Sequence, residues 1–326
     1  MVDIGRRGLI TLIGGAAGWP LVARAQQPAG KVAQIGFLHS ATAEAYALMT
    51  AAFRKSLSES GNVTIEYRWA AGRLERLPEL AADLVRRQVS AIFAGGGLEP
   101  AIAAKAATSQ IPIVFATGGD PVKAGLVESL NRPGGNITGV TFLVNALGPK
   151  ELEILRQLQP KATVIAALLN PNLVTTASQS RDVRAAAGAL GLEVHVVHAS
   201  TEDDIEGVFA SIAQKRITGM LVGADAFLFS HRNQLVQLAA HYSVATVYPW
   251  REAVLAGGLA SYGTNITDAY ALAGIFTARI LKGDKPAELP IQQSIKTEFV
   301  LNLKTARALQ LDVSSMLSAL ADEVIE

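Results

Sequence analysis

The 326-residue sequence contains no cysteine. That excludes disulfides, thiolate metal sites, a cysteine nucleophile and a lipid-modified N-terminal cysteine. A surplus of charge is missing as well: 29 Lys and Arg stand against 28 Asp and Glu. Such a balance leaves no electrostatic footprint for nucleic acid or an anionic membrane. The apolar stretch near the N-terminus, Leu9 to Val22, has only 14 residues and includes Gly14, Gly15, Gly18 and Pro20. It is too short and too poor in helix formers to span a bilayer.

Signatures of several chemistries are also absent. The phosphate-binding spacing G-x-x-x-x-G-K-[ST] does not occur, and Gly95-Gly96-Gly97 is followed by Leu-Glu-Pro, which breaks G-x-G-x-x-G at its last position. The glycines either form a tight strand-to-helix turn or offer backbone N–H groups to a ligand carboxylate. No G-x-S-x-G elbow is present, since Ser261 sits in G-L-A-S-Y-G with the first glycine one position too early. His195 and His198 lie three apart in a strand pattern and point to opposite faces, while His39, His231 and His241 have no close acidic or histidine partner in sequence. No metal site, cofactor site or catalytic set is expected.

What is present begins with an export pattern. Arg6-Arg7, the short apolar core and Ala23-Arg24-Ala25 follow the order of a cleavable signal peptide, residues 1–25, with the arginine pair fitting twin-arginine as well as general secretory export. Cleavage near Ala25 leaves 26 basic and 27 acidic residues, a net charge of −1. The expected product is a soluble protein of the periplasm.

From Lys31 onward strand-like and helix-like patterns alternate. VAQIGFL, VTIEYRW, VSAIFA and IPIVFA read as strands separated by helices; after a glycine-rich stretch the pattern restarts with TVIAALL, LEVHVV, GMLVGA and VATVYP. This predicts the α/β class, two doubly wound parallel-sheet units in tandem. The stretch between them, TGGDPVKAGLVESLNRPGGNITGV from Thr117 to Val140, has six glycines in 24 residues. It reads as chain reversal at Pro133–Asn136, with Ile137–Phe142 as the first crossing between units. The tail GDKPAELP to EFVLNL predicts that the chain recrosses.

Ligands of open α/β sheets bind beyond the carboxyl ends of the strands. Those positions are His39 and Ser40, Gly95 to Gly97 and Thr117 to Asp120 in the first unit. In the second they are Asn170, Asn172, Ser200, Asp225 and Tyr248 to Trp250. Together they can clasp a small polar molecule with an apolar or aromatic body.

IPIVFATGGDPVKAGLVESLNRPGGNITGV, GGLASYGTNITDAYALAGIFTARILKGDKPAELP and EFVLNLKTARALQL resemble the tryptophan/tyrosine-type substrate-binding proteins of ABC importers, a branch of the type I periplasmic binding proteins. The resemblance covers essentially the whole chain. It implies two lobes joined by a three-segment hinge: residues 31–141 with about 264–290, and 142–263 with about 291–326. It further implies a monomer that closes on an aromatic amino acid or a related aromatic or carboxylate compound and delivers it to a membrane permease with its ATPase. Asp225 matches the acidic residue that meets a ligand amino group. Ser40, Gly96, Gly97 and Thr117 match the groups that take the carboxylate, although Gly-Gly-Gly stands where the family commonly has a hydroxyl-bearing segment. A periplasmic hydrolase or isomerase pairing Asp120 with His39, and a ligand sensor that partners a receptor, are the alternatives.

Overall fold

Short apolar runs rich in β-branched residues alternate with Ala- and Leu-rich stretches, and the computed structural model folds the first into strands and the second into helices. It describes residues 32–58, 62–142, 144–294 and 296–326; the expected export signal lies outside them. The chain opens with β1 (Ala33–His39), α1 (Ala47–Leu57), β2 (Val63–Trp69), α2 (Leu77–Arg86), β3 (Ala91–Gly95), α3 (Glu99–Ala107), β4 (Ile113–Thr117) and β5 (Ile137–Thr141). There follow α4 (Gly148–Leu158), β6 (Val164–Leu169), α5 (Thr176–Ala189), β7 (Glu193–His198), α6 (Glu202–Gln214), β8 (Gly219–Val222), α7 (Ala226–Ser230), α8 (Arg232–His241), β9 (Ala245–Tyr248), α9 (Arg251–Leu255) and β10 (Ala260–Thr264). Then come α10 (Ile266–Leu281), β11 (Gln292–Gln293), β12 (Thr297–Asn302), α11 (Leu303–Ala308), α12 (Ser315–Ala319) and β13 (Glu323–Ile325).

Two sheets result, ordered β11-β5-β4-β3-β1-β2 and β13-β12-β10-β9-β8-β6-β7. Strands β3, β4 and β5 are buried along their whole length, as parallel strands covered on both faces must be. The first sheet is parallel throughout. In the second only β10 and β12 pair antiparallel, because the returning chain enters that sheet at the edge where β10 ends.

Register matters most for the site. His39 pairs with Gly95, Gly95 with Ala116 and Thr117 with Thr141. Four strands of the first sheet therefore end on one line. Leu168 pairs with Val222 and Leu221 with Val247, which brings the second sheet's strand ends level in the same way.

The chain passes between the sheets three times: after β5, between β10 and α10, and between β11 and β12. The first crossing, expected at Ile137–Phe142, begins only at Phe142, and Ile137–Thr141 is instead an interior strand of the first sheet. The reason is hydrogen bonding: Ile137 to Thr141 pair in register with Ile113 to Thr117, and the Thr138 hydroxyl donates to the Leu289 carbonyl at 2.7 Å. β11 keeps the returning segment with the first sheet through Gln293. The glycine-rich stretch does reverse the chain, with Gly134 and Gly135 at φ 73° and 64°, a backbone region open to glycine at no steric cost.

Helix α10, far along in sequence, packs on the first sheet. Tyr270, Ala273 and Phe276 join Phe37, Phe53 and Phe93 in one buried cluster that also takes in Phe229 and Trp250 of the second lobe.

One carboxyl group is buried in the second lobe without a charge to balance it. Glu151 of α4 is 6% exposed, and burial pushes its carboxyl up from 4.5 to about 8. A group whose folded pKa is raised stabilises the fold fully below its unfolded pKa and loses that contribution as pH rises through the folded value. The stability difference between wild type and Glu151→Gln is therefore expected to widen steadily in favour of the variant between about pH 5 and 8, then level off. Thermal melts of both proteins across that range check this; parallel curves would contradict it.

Candidate functional site

The carboxyl ends of the two sheets face each other across a cavity. The first lobe contributes Gly96 to Glu99 after β3, Thr117 to Gly119 after β4, Tyr46 before α1 and Tyr270 of α10. The second contributes Leu173, Thr175, Ala224 to Ala226 and Trp250. Phe142 and Val144, at the first crossing, close one side. Four of these side chains are aromatic. None of the lining residues is Arg, Lys or His.

On the first lobe a buried polar chain fixes one wall. The Ala41 N–H donates to His39 Nδ1 at 3.0 Å, and burial lowers the imidazole to about 3, so the ring is neutral. A neutral ring that accepts at Nδ1 carries its proton on Nε2. His39 therefore donates to the Tyr270 oxygen, 2.7 Å away. With its oxygen accepting from His39, Tyr270 has its own proton left to donate, and its ring lines the cavity. Burial raises the phenol well above its ordinary value, which keeps that proton in place.

Gly96 is held tightly in this arrangement. Its φ is +85°, its carbonyl accepts from Ser40 Oγ at 2.5 Å, and an added Cβ would lie 2.4 Å from Ser40 Oγ and 2.6 Å from His39 Cε1.

Two carboxylates face the cavity, one from each lobe. Glu99, half-buried at the start of α3, accepts from the Val174 N–H across the cleft at 3.1 Å. Burial raises its pKa, opposed by hydrogen bonds from its own N–H and those of Val174 and Leu98. Asp225 is 8% exposed and caps α7, its Oδ1 accepting from the Leu228 N–H at 2.8 Å and from the Asn170 amide at 3.3 Å. Burial is the main reason its carboxyl is pushed up to about 6, and the Glu99 charge adds to the shift. Trp250, 6% exposed, also lines the cavity. Its indole N–H finds no acceptor among the described residues, a costly state for a buried donor.

Of the nine residues expected to touch ligand, Gly96, Gly97, Thr117, Asp225 and Trp250 come together around this cavity. Four do not line it. Ser40 is turned to the Gly96 carbonyl and supports the wall from behind. Asn170 is used up internally, donating to Asp225 and accepting from the Asn172 N–H at 3.0 Å. Asn172 sits instead on an outer groove with Val174 and Leu77. Tyr248 is buried in the second lobe's own core beside Val222 and Ala253. Sequence reasoning missed Glu99, Tyr270 and Tyr46. Glu99 carried one signal, a carboxylate at the first helical position two residues after three glycines; Tyr270 carried none, since only the packing of α10 brings it to the site.

Asp120 and His39 form no acid–base pair. The Asp120 carboxylate accepts from the Val122 and Lys123 N–H groups at 3.0 and 3.1 Å, while His39 is fully buried and engaged at both nitrogens. Among the described residues, no group of three or more His, Asp or Glu is gathered as metal ligands would be.

A family model described as ABC transporter substrate binding protein matches residues 31–325. The chain belongs to that family. Among relatives of this substrate-binding protein, a tyrosine-binding protein of Clostridioides difficile is 27% identical over 264 residues, 79% of this chain and 75% of that one. An ABC domain in complex with L-Trp from Streptococcus pneumoniae superposes with a TM-score of 0.82 at 24% identity, covering 90% of this chain and all of that one. A conserved domain protein from Vibrio cholerae gives 0.83 at 23% identity over the same shares. The fold is that of the type I periplasmic binding proteins, and the family is one of solute binders rather than enzymes.

In this substrate-binding protein Gly96→Ala is expected to destabilise more than Gly135→Ala. Both positions have positive φ, which strains any L side chain, but an added Cβ at Gly135 meets nothing within 4 Å. Gly96→Ala should cost at least about 1 kcal/mol more. Denaturant unfolding of the pair measures this, and equal losses would contradict the crowded wall described for Gly96.

Proposed function

We propose that this chain is an exported, monomeric binding protein of the periplasm. It captures a small solute with an aromatic body, an aromatic amino acid or a related aromatic compound, and delivers it to the permease of an ABC importer with its ATPase. The observation that carries this reading is the cavity at the strand ends of both lobes, with aromatic walls and a buried indole donor that has no acceptor among the described residues. A solute there gains contacts to both lobes only when they are together, so its binding free energy favours closure. Direct contacts already bridge the cleft: Tyr46 meets Phe229 with ring centroids 4.9 Å apart, and Glu99 accepts from Val174.

The relatives named for tyrosine binding and solved with L-Trp support the aromatic class. The expected signal peptide, residues 1–25, supports export, and membership of the substrate-binding family supports a permease partner. Asp225 and Trp250 are the second-lobe contacts of this reading; Thr117, Gly96, Gly97 and the Tyr270 hydroxyl are those of the first.

Native mass spectrometry of the purified protein is expected to reveal a co-purifying aromatic solute in about equimolar amount. Calorimetric titration of that solute should then show at least about tenfold weaker binding to Trp250→Ala. A bound solute with no aromatic ring, or an affinity untouched by the Trp250 change, would contradict the assignment.

A further inference from the structure

The cavity's charge and its backbone donors bear on which solute it takes. Two carboxylates line it and no cationic side chain does. Arg232, the guanidinium behind this wall, lies 4.7 Å above the Phe229 ring and donates to the Phe229 carbonyl, outside the lining.

A ligand carboxylate in such a cleft is ordinarily received by backbone N–H groups at the strand-to-helix turns. Here the protein's own groups occupy part of these turns. The Gly119 N–H donates to Thr117 Oγ1 at 3.2 Å. Glu99 Oε2 stands over Gly97, only 2.7 Å from where a Cβ would be. A carboxylate of the chain itself thus fills the place at the glycine turn that a ligand carboxylate would take.

From this occupancy we infer that the cavity selects an aromatic organic cation without a carboxylate, such as an arylalkylamine, with its ammonium held between Asp225 and Glu99. The inference rests on the reading of the cavity as an aromatic-solute site and narrows it. An ammonium donates to both acids and neutralises a charge that is otherwise poorly solvated. A zwitterionic amino acid brings a third carboxylate beside the first two and meets repulsion. The unpartnered Trp250 N–H, 94% buried by its 6% exposure, calls for a neutral acceptor elsewhere on the ligand body, as a phenol oxygen supplies. The Tyr270 hydroxyl offers a second donor of the same kind.

The test is calorimetry on the full chain with tyramine, tryptamine, L-tyrosine, L-tryptophan and 4-hydroxyphenylacetate. The amines should bind at least about tenfold more tightly than their parent amino acids, and the acid should not bind. Glu99→Gln, which keeps an oxygen to accept from Val174, should weaken the amines about tenfold or more and shrink their advantage over the amino acids. Its melting temperature reports whether it folds, and the wild-type comparison stands without it. Amino acids binding as tightly as the amines, or more tightly, would overturn the inference and leave the aromatic-solute reading intact. Failure of all five compounds to bind would overturn both.

Discussion

The hydrogen bond between His39 and Tyr270 spans 231 residues of sequence and is fully shielded from water. It fastens α10, the helix that returns from the second lobe, to the carboxyl edge of the first sheet. The same helix covers Phe37, Phe53 and Phe93 and supplies a wall of the cavity. The same bond sets chemistry. It requires a neutral His39, which burial guarantees, and a Tyr270 oxygen that accepts, which frees the phenolic proton. Fold and site thus meet at this contact.

The opposite wall is governed by desolvation. Asp225 pays for its burial with a raised pKa, held in place by the α7 N–H groups and Asn170. Glu99 lies across the cleft and adds repulsion. In the proposed closing motion two like charges would approach each other in a poorly solvated space, which opposes closure until something compensates. That opposition is useful in a binding protein. A lobe pair that closed strongly when empty would gain little from ligand, whereas one held back by electrostatics converts ligand contacts into a conformational signal.

The alternating architecture was plain in the sequence, because buried parallel strands such as IPIVFA and GMLVGA are nearly continuous apolar runs. Strand ends located half of the site for the same reason: Gly96, Gly97, Thr117 and Asp225 stand at strand ends or within three residues of them. Strand-end position does not, however, tell a ligand contact from a local hydrogen bond. Ser40 and Asn170 also stand at strand ends, yet each spends its polar group on a neighbour. Tyr270 was illegible because its role depends on a contact 231 residues away. Glu99 was overlooked because a carboxylate at a helix start has a sufficient local reason to be there. The glycine-rich stretch misled in one respect only: its turn was read correctly, but the strand after it was taken for the crossing.

Small-angle scattering of the protein, first stripped of solute and then titrated with whatever solute co-purifies, measures the central claim directly. The account predicts a smaller radius of gyration at saturation, with the saturated curve matching the closed arrangement in which Tyr46 meets Phe229 and Glu99 meets Val174. Saturable binding with an unchanged radius and an open curve throughout would contradict it.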